Sequence, residues 1–251
     1  MVDEAVKQFY DEFLSKRMVN YRIRGPNARL RAAIELVKPL VKSRTAIADI
    51  GCGIGIVSEA MAKQCQECHV YGIDISAANI EYARRTCSEP NLTFISASVT
   101  DQFEKLEQVA KKPFELITLI DVIEHVPEGD RTKLFSDLAS ISGQSCCLAI
   151  TYPSPEFLDF LRINQPEEIQ IIDNSIPLSV LIDEVEAGGW RVYSTKHVLG
   201  NQYIHAVFVR EVSLDFRSVP PSLLRKITTK VDGYLFKPHR KIKYGVRPFK
   251  G

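Results

Sequence analysis

Three glycines, Gly51, Gly53 and Gly55, stand within five residues of one another in the stretch ADIGCGIGIVSEAMA. A short apolar run ends in Asp49 just before them, and a pattern of helical spacing follows. Glycine is costly inside regular structure, so three so close together indicate a turn at which a ligand approaches the backbone. A dinucleotide-binding turn would read G-x-G-x-x-G, and this chain has Ile56 where the third glycine would stand. The spacing G-x-G-x-G beside an acidic residue suits a ligand that carries a positive charge.

A second acidic residue, Asp74, ends the next apolar run, CHVYGID. An acid about 20 residues beyond a glycine-rich turn is the expected partner of ribose hydroxyl groups. The alternative is that Asp49 and Asp74 are turn or cap aspartates. Taken together with the glycines, they predict a ligand with a ribose near Asp74 and a positive charge near Asp49. S-adenosylmethionine, which joins a sulfonium and an amino-acid end to adenosine, has this combination.

Apolar runs and helical patterns alternate from residue 45 onward, which places both acids at strand ends. Strands are predicted at TAIADI, CHVYGID, LTFISAS, FELITLID and SCCLAITY, with helical segments at residues 56–65, 77–86, 100–111 and 128–140. This alternation predicts an α/β fold, a doubly wound and mostly parallel sheet with helices on both faces. FELITLID is almost entirely apolar, as expected of a strand that is covered on both faces.

The pattern changes after Tyr152. PSPEFLDFLRI and SVLIDEVEAGGW predict helices, and WRVYSTKHVL and YIHAVFVREV, separated by GNQ, predict a C-terminal antiparallel β-hairpin that completes a seven-stranded sheet. The sequence therefore predicts three segments: an N-terminal helical cap (1–43) split by RGPN, a central domain (44–210) and a basic C-terminal tail (211–251). The tail holds ten Lys or Arg residues against three acidic ones.

Composition narrows the class of protein. Of the 251 residues, 45% are hydrophobic and 25% charged, which is ordinary globular composition, and the formal net charge is +1. A chain so close to neutrality has no overall attraction for nucleic acid. A cytoplasmic protein is expected, because no apolar run reaches the length of a membrane span, the first residues do not read as a signal peptide, and the six cysteines show no disulfide spacing. The pair in CQECH has half of a zinc-site spacing and is interpreted as two thiols.

At three motifs in register, the chain resembles the class I S-adenosylmethionine-dependent methyltransferases. ADIGCGIG is similar to their first motif, YGIDIS to their acidic second strand, and FELITLIDVIEHV to their fourth strand with its following loop. The resemblance covers residues 45–210 and implies S-adenosylmethionine as the cofactor. It also implies a set of cofactor-binding residues: Tyr10 and Arg24 at the methionine carboxylate, Asp49, Gly51, Cys52 and Gly53 along the methionine portion, Asp74 at the ribose, Ile75, Ser98 and Val99 around the adenine, and Asp121 after the fourth strand.

His125, in DVIEHV, is the candidate general base for a hydroxyl acceptor, because it follows a strand whose carboxyl end meets the ligand in open α/β folds. The alternative is that His125 packs against or caps the following helix. The spacing Asp121-x-x-Glu124-His125 also resembles the metal-binding stretch of small-RNA 3′-terminal 2′-O-methyltransferases, and a related stretch occurs in quinone-type O-methyltransferases. Residues 151–174 contain no histidine that would complete such a site, so no metal is predicted.

The acceptor pocket is expected between the N-terminal helices and the segment after the fifth strand, with Tyr21, Tyr152, Tyr203 and His205 as candidates. The predicted function is O-methylation of a small biosynthetic acceptor, a saccharide or a natural product. Two alternatives stay open: an RNA 2′-O-methyltransferase with a metal-assisted site, and a cofactor-binding scaffold without catalysis. The predicted partner is the small-molecule acceptor, with neither a membrane span nor nucleic acid, and the sequence indicates no oligomeric state.

Overall fold

The computed structural model describes residues 19–41, 46–98, 104–109, 112–170 and 172–210. These residues all belong to one compact unit, which spans Met1–Val212. The basic tail predicted at residues 211–251 and the first part of the predicted helical cap lie outside the described residues. The three predicted segment boundaries therefore stay predictions.

Seven strands form one sheet: β1 (Ala46–Ile50), β2 (His69–Asp74), β3 (Leu92–Ser96), β4 (Phe114–Ile120), β5 (Ser142–Pro153), β6 (Arg191–Val198) and β7 (Tyr203–Val209). Their order across the sheet is β3-β2-β1-β4-β5-β7-β6. Strands β1 to β5 run parallel, and β7 lies antiparallel between β5 and β6. Successive strands are added on one side of β1 up to β3 and on the other side from β4 onward. The carboxyl ends of β1 and β4 therefore flank the crevice at which ligands bind in such sheets.

Eight α-helices are described: α1 (Val19–Arg24), α2 (Ala28–Val41), α3 (Ile56–Gln64), α4 (Ala77–Thr86), α5 (Glu104–Val109), α6 (Glu128–Ser140), α7 (Pro155–Asn164) and α8 (Leu178–Ala187). Single-turn 3₁₀ helices lie at Ile123–His125 and Pro166–Glu168. The described part of the chain contains no helix with both the length and the apolar composition needed to cross a bilayer.

Local sequence signals set several helix starts. Gly25, at φ +84°, separates α1 from α2, and the side chain of Asn27 then caps α2 by accepting a hydrogen bond from the amide of Leu30 at 2.9 Å. Ser76 and Ser154 accept the corresponding bonds at the starts of α4 and α7. The predicted split of the N-terminal helices at RGPN is thus confirmed.

The sheet is covered on both faces. On one face, Ile117 and Leu119 of β4 pack in the main hydrophobic cluster with residues of α6 and α8. On the other face, Leu116 and Ile120 of β4 pack in a second cluster with residues of α2 and α3. Both faces of β4 are therefore dry, which is why its sequence is almost entirely apolar.

The predicted fold class is confirmed, since the sheet is seven-stranded and mostly parallel and ends in the predicted antiparallel hairpin. Strand β5 is longer than predicted, because it begins at Ser142 rather than at Ser145. The three added residues, SGQ, contain no apolar side chain, so the apolar pattern did not include them. Backbone pairing of Ser142 with Phe114, followed by a register shift, extends the strand without any apolar signal.

Candidate functional site

A cavity opens where β1 and β4 end, between the glycine-rich turn and the N-terminal helices. Five of the predicted cofactor residues line it: Asp49, Gly51, Cys52, Gly53 and Asp121. The predicted acceptor residue Tyr21 and a residue that the sequence did not single out, Arg29, line it as well. The crevice expected from the strand order and the residues expected from the motifs thus coincide.

The glycine-rich turn needs its glycines for backbone geometry and for packing. Gly51, Gly53 and Gly55 all have positive φ angles, of 70°, 53° and 76°, which side chains rarely adopt. A Cβ atom on Gly51 would also lie 2.3 Å from Cγ2 of Val122, and one on Gly55 would lie 2.5 Å from Cζ of Phe94. The bare backbone of Gly51 and Gly53 is left facing the cavity.

Asp49 is a buried carboxylate at the end of β1, with 1% of its surface exposed. The hydroxyl groups of Ser58 and Thr118 donate to its two oxygens, Thr118 at 2.6 Å. Burial raises the pKa of Asp49 to about 6, against the lowering effect of these two hydrogen bonds. A carboxylate in this state gains from a positive charge brought into the cavity beside it.

Asp74 stands at the end of β2, beside the glycine-rich turn. Its Oδ2 accepts a hydrogen bond from the amide of Gly53 at 2.8 Å. Its Oδ1 accepts from the amide of Ser76 at 2.9 Å and from the side chain of Asn79 at 3.2 Å. These bonds fix the carboxylate beside the turn, and its role at a ribose stays a prediction.

Asp121 and Arg29 form an ion pair in the cavity wall. Nε of Arg29 lies 3.0 Å from Oδ2 of Asp121, and the hydroxyl of Thr151 donates to Oδ1 of Asp121 at 2.9 Å. Nη1 of Arg29 donates to the hydroxyl of Tyr203 at 3.3 Å. Burial lowers the pKa of Arg29, but the Asp121 carboxylate and Tyr203 outweigh it, so the guanidinium is always charged. Asp121 itself has a φ of 57°, in the left-handed region, which turns the chain sharply after β4.

Arg22 fastens the short helix α1 over the glycine-rich turn. Its Nη2 donates to the carbonyl of Ile54 at 2.7 Å and to Sγ of Cys87 at 2.8 Å. Its Nη1 pairs with the carboxylate of Glu59 on α3. This anchoring carries the neighbouring Tyr21 to the cavity.

His125 lies on the single 3₁₀ turn after β4. Nδ1 must carry a proton, because it bonds the carbonyl of Ile172, and Oδ1 of Asp173 lies 3.2 Å away. Nε2 faces Oε1 of Glu124 at 3.8 Å. Burial lowers the pKa of His125, but the charges of Glu124 and Asp173 outweigh it and raise it to about 9. Burial raises the pKa of Glu124 to about 8. The role of His125 as general base stays a prediction, and its ring is fixed in place by the 172–174 segment.

The predicted acceptor residues lie where β5 ends and β7 begins, but Tyr152 faces the opposite side of the sheet from Tyr203 and His205, because side chains alternate along a strand. Tyr152 and Ile204 are paired residues of β5 and β7, as are Thr151 and His205. Tyr152 is completely buried, and burial raises its pKa. Burial also raises the pKa of Tyr203 to about 12 and lowers that of His205.

Other predicted site residues lie elsewhere or cannot be placed. Arg24 is exposed on α1, and it is Arg29 of α2 that lines the cavity. Ile75 and Ser98 are half-buried residues that follow β2 and β3. Tyr10 and Val99 lie outside the described residues. The cofactor roles of all five stay predictions.

Metal ligation finds no support in the described ranges. No group of three or more His, Cys, Asp or Glu side chains among these residues is arranged to hold an ion. Asp121, the first residue of the metal-like spacing, is paired with Arg29 instead. The thiol of Cys68 bonds the carbonyl of Cys65 at 2.9 Å, and no disulfide joins the described cysteines.

Sequence reasoning missed three residues of the site: Arg29, which lines the cavity, and Ser58 and Thr118, which hydrogen-bond Asp49 behind it. Ser58 and Thr118 are polar residues in otherwise apolar patterns, a signal that marks a buried hydrogen-bonding partner. Arg29 carries a weaker signal: it stands in the first turn of a helix that begins at Asn27.

These features define a class. A sheet with this strand order, a glycine-rich turn after β1 and acids at the ends of β1, β2 and β4 has the Rossmann-like fold of the class I methyltransferases. Residues 47–142 match the family model described as a methyltransferase domain. The recognition made from the sequence is confirmed at this level, and the chain carries a methyltransferase domain.

The curated relatives match only part of the chain in sequence, whereas several solved structures match most of it in fold. The ubiquinone biosynthesis O-methyltransferase of Histophilus somni is 38% identical over 84 residues, which are 33% of this chain and 34% of that protein. The chain thus matches about a third of the length of such curated relatives. A TehB-like SAM-dependent methyltransferase from Corynebacterium glutamicum has a TM-score of 0.61 at 17% identity, covering 80% of this chain and 98% of that one. Magnesium protoporphyrin IX methyltransferase from Synechocystis, solved with bound SAH, has a TM-score of 0.58 at 17% identity, covering 73% and 84%.

Proposed function

We propose that this chain is an S-adenosylmethionine-dependent methyltransferase that transfers a methyl group to an oxygen atom of a small molecule. One observation carries the proposal: Asp49, Asp121 and Arg29 surround a cavity against the bare backbone of the glycine-rich turn. This set of charges matches an amino-acid zwitterion joined to a sulfonium. It does not match a pyrophosphate, which two carboxylates would repel.

Different residues of the cavity would bind different parts of the cofactor. Arg29 would take the methionine carboxylate, while Asp49 and Asp121 would face the ammonium and the sulfonium side. Asp74, at the neighbouring strand end, would accept hydrogen bonds from the ribose. When bound, S-adenosylmethionine supplies an electrophilic methyl group. The protein's own contribution is to hold the acceptor in line with that group and to exclude water.

Transfer to oxygen is supported by the relatives that match about a third of this chain in sequence, because they are named O-methyltransferases. It is also supported by Tyr203 and His205, which share one face of β7 beside the carboxyl end of β5. A hydroxyl acceptor must lose its proton, and His125 keeps the role of general base as a prediction. The names of these relatives refer to ubiquinone biosynthesis, so a saccharide or other natural product has no support from them.

Calorimetry with S-adenosylhomocysteine tests the proposal. The wild-type chain should bind it with micromolar affinity, and Asp74→Asn should weaken binding at least tenfold, because a lost charge-assisted hydrogen bond is worth about 1.5–3 kcal/mol. Asp183→Asn, which changes an exposed aspartate of α8, is the matched control and should bind like the wild type. A wild-type preference for NADH over S-adenosylhomocysteine would refute the proposed function.

A further inference from the structure

Two cysteines that do not line the described cavity, Cys65 and Cys68, flank a turn at the surface. Cys65 follows the last residue of α3 and Cys68 precedes the first residue of β2, with Gln66 and Glu67 as the central residues of the turn. The first and fourth Cα atoms of such a turn lie within about 7 Å of each other. A disulfide bond joins Cα atoms about 4.4–6.8 Å apart. The turn therefore brings the two cysteines into the range that a disulfide needs.

The thiol groups of the two cysteines contact each other. Sγ of Cys68 donates to the carbonyl oxygen of Cys65 at 2.9 Å, which places this sulfur beside the backbone of the first cysteine. A side-chain hydrogen bond also joins the two thiols. The sulfur atoms are therefore neighbours, as the two partners of a disulfide must be.

The side chain of Asn91 holds the turn in this shape. Its Nδ2 donates to the carbonyl oxygens of both cysteines, Cys65 and Cys68, at 2.9 Å each. The amide of Cys65 in addition donates to the carbonyl of Met61 at 3.3 Å and so closes the last turn of α3. Because the backbone is fixed at both cysteines, the two thiols are already oriented for reaction with each other.

The two thiols differ in their access to solvent. Cys65 is half-buried and its neighbours Gln64 and Gln66 are exposed, whereas Cys68 is 2% exposed. Burial and the hydrogen bond with Cys65 raise the pKa of Cys68 to about 12, so this thiol keeps its proton near neutral pH. A reagent in solution therefore meets Cys65 first, and Cys68 is placed to react with Cys65.

We propose that Cys65 and Cys68 form a redox-active dithiol that reacts with small disulfides of the glutathione type. The thiolate of Cys65 attacks one sulfur of the small disulfide, forms a mixed disulfide and releases one thiolate. Cys68 then gives its proton to water, attacks Sγ of Cys65 and releases the second thiolate. In all, the pair loses two electrons and two protons, and the small disulfide is reduced to two thiols. This reaction is separate from methyl transfer and does not rest on it.

Peptide mapping by mass spectrometry, after equilibration of the wild-type chain with oxidised glutathione, tests the proposal. We expect one intramolecular disulfide, between Cys65 and Cys68, which an excess of reduced glutathione reverses. The mixed disulfide with glutathione should stay below about a tenth of the protein, because the neighbouring thiol has a far higher effective concentration than free glutathione. Cys146 and Cys147, which are buried in β5, are the internal control and should stay reduced.

Two variants separate the steps of the reaction. Cys68→Ala should stop at the mixed disulfide on Cys65, so its glutathione adduct should exceed that of the wild type at least about tenfold. Cys87→Ser, which changes another half-buried cysteine and leaves the pair intact, is the matched control and should form the disulfide as the wild type does. A wild-type chain that stays fully reduced, or that ends as a stable glutathione adduct on Cys65, would overturn the proposal.

Discussion

Replacing Arg29 by methionine removes the only positive charge that the described part of the cavity wall presents and keeps an unbranched, flexible side chain. In the structure this guanidinium lies 3.0 Å from the carboxylate of Asp121 and donates to the hydroxyl of Tyr203. We expect two separate losses. The methionine carboxylate of the cofactor loses its cationic partner, and Asp121 is left with the hydroxyl of Thr151 as its remaining side-chain partner among the described residues.

Both losses have a definite size. A hydrogen bond to a charged group contributes about 1.5–3 kcal/mol, so Arg29→Met should weaken binding of S-adenosylhomocysteine roughly 10- to 150-fold. Breaking a fully buried ion pair costs about 3–5 kcal/mol. The side chain of Arg29 is 31% exposed, so we expect a smaller cost, about 1–2 kcal/mol, and a fall in Tm of about 2–8 °C.

Calorimetry and thermal unfolding measure the two effects, and Arg24→Met compares the other candidate for the methionine carboxylate. Arg24 is exposed on α1, so its replacement should change neither quantity. The double variant Arg29→Met with Asp121→Asn should recover stability, because the uncompensated charge is removed, but should not recover affinity. If Arg24→Met weakens cofactor binding and Arg29→Met does not, the reasoning is wrong and the original sequence-based assignment of Arg24 is right.

Three further predictions follow from buried charges. Burial raises the pKa of Asp49 to about 6, so affinity for S-adenosylmethionine should fall up to tenfold per pH unit below pH 6, as the carboxylate takes up a proton. In the same calorimetric series, Asp49→Asn should bind weakly at every pH. His125→Gln should keep cofactor affinity but lower turnover of a hydroxylated probe by about 10²–10⁴-fold. Wild-type turnover should rise with pH through about 9, as His125 loses its proton. If the variant keeps the turnover and the pH profile of the wild type, His125 is not the base. Arg131→Met leaves Glu184 unpaired between α6 and α8 and should lower the free energy of unfolding by about 3 kcal/mol in urea titrations, whereas adding Glu184→Gln should restore most of it.

The part of the site that could be predicted from the sequence is the part built by neighbouring residues. Asp49 and the three glycines lie on one strand–turn–helix unit, whose backbone geometry follows from the residues themselves. Asp74 could be predicted in the same way, because it ends the neighbouring parallel strand and parallel strands end at the same edge of the sheet. Period-2 and helical patterns were strong in this region, so the strand and helix order followed as well.

The remaining part depends on how distant segments dock. Arg24 and Arg29 are both basic residues near the same turn, and only the rotation of α2 against the sheet decides which one meets Asp121. The contact between His125 and Asp173 joins residues 48 positions apart across two helices, and nothing in the local pattern marks it. The position of edge strand β6 could not be predicted from its own residues either. It lies beyond β7 because β7, and not β6, pairs with β5.

The charges of the cavity also account for why the site is built this way. Asp121 already has a cation in Arg29, whereas the partners of Asp49 among the described residues are the hydroxyl groups of Ser58 and Thr118 and the backbone of Ser58, and burial raises its pKa. A ligand that brings an ammonium and a sulfonium supplies a positive charge, and it binds the folded chain alone, because the unfolded chain has no cavity. At a concentration 100 times its dissociation constant, such a ligand stabilises the fold by about 2.7 kcal/mol. In the isolated protein, the buried carboxylate of Asp49 therefore lowers the stability of the fold. The cofactor brings a positive charge beside this carboxylate, which adds to the affinity and favours cationic ligands.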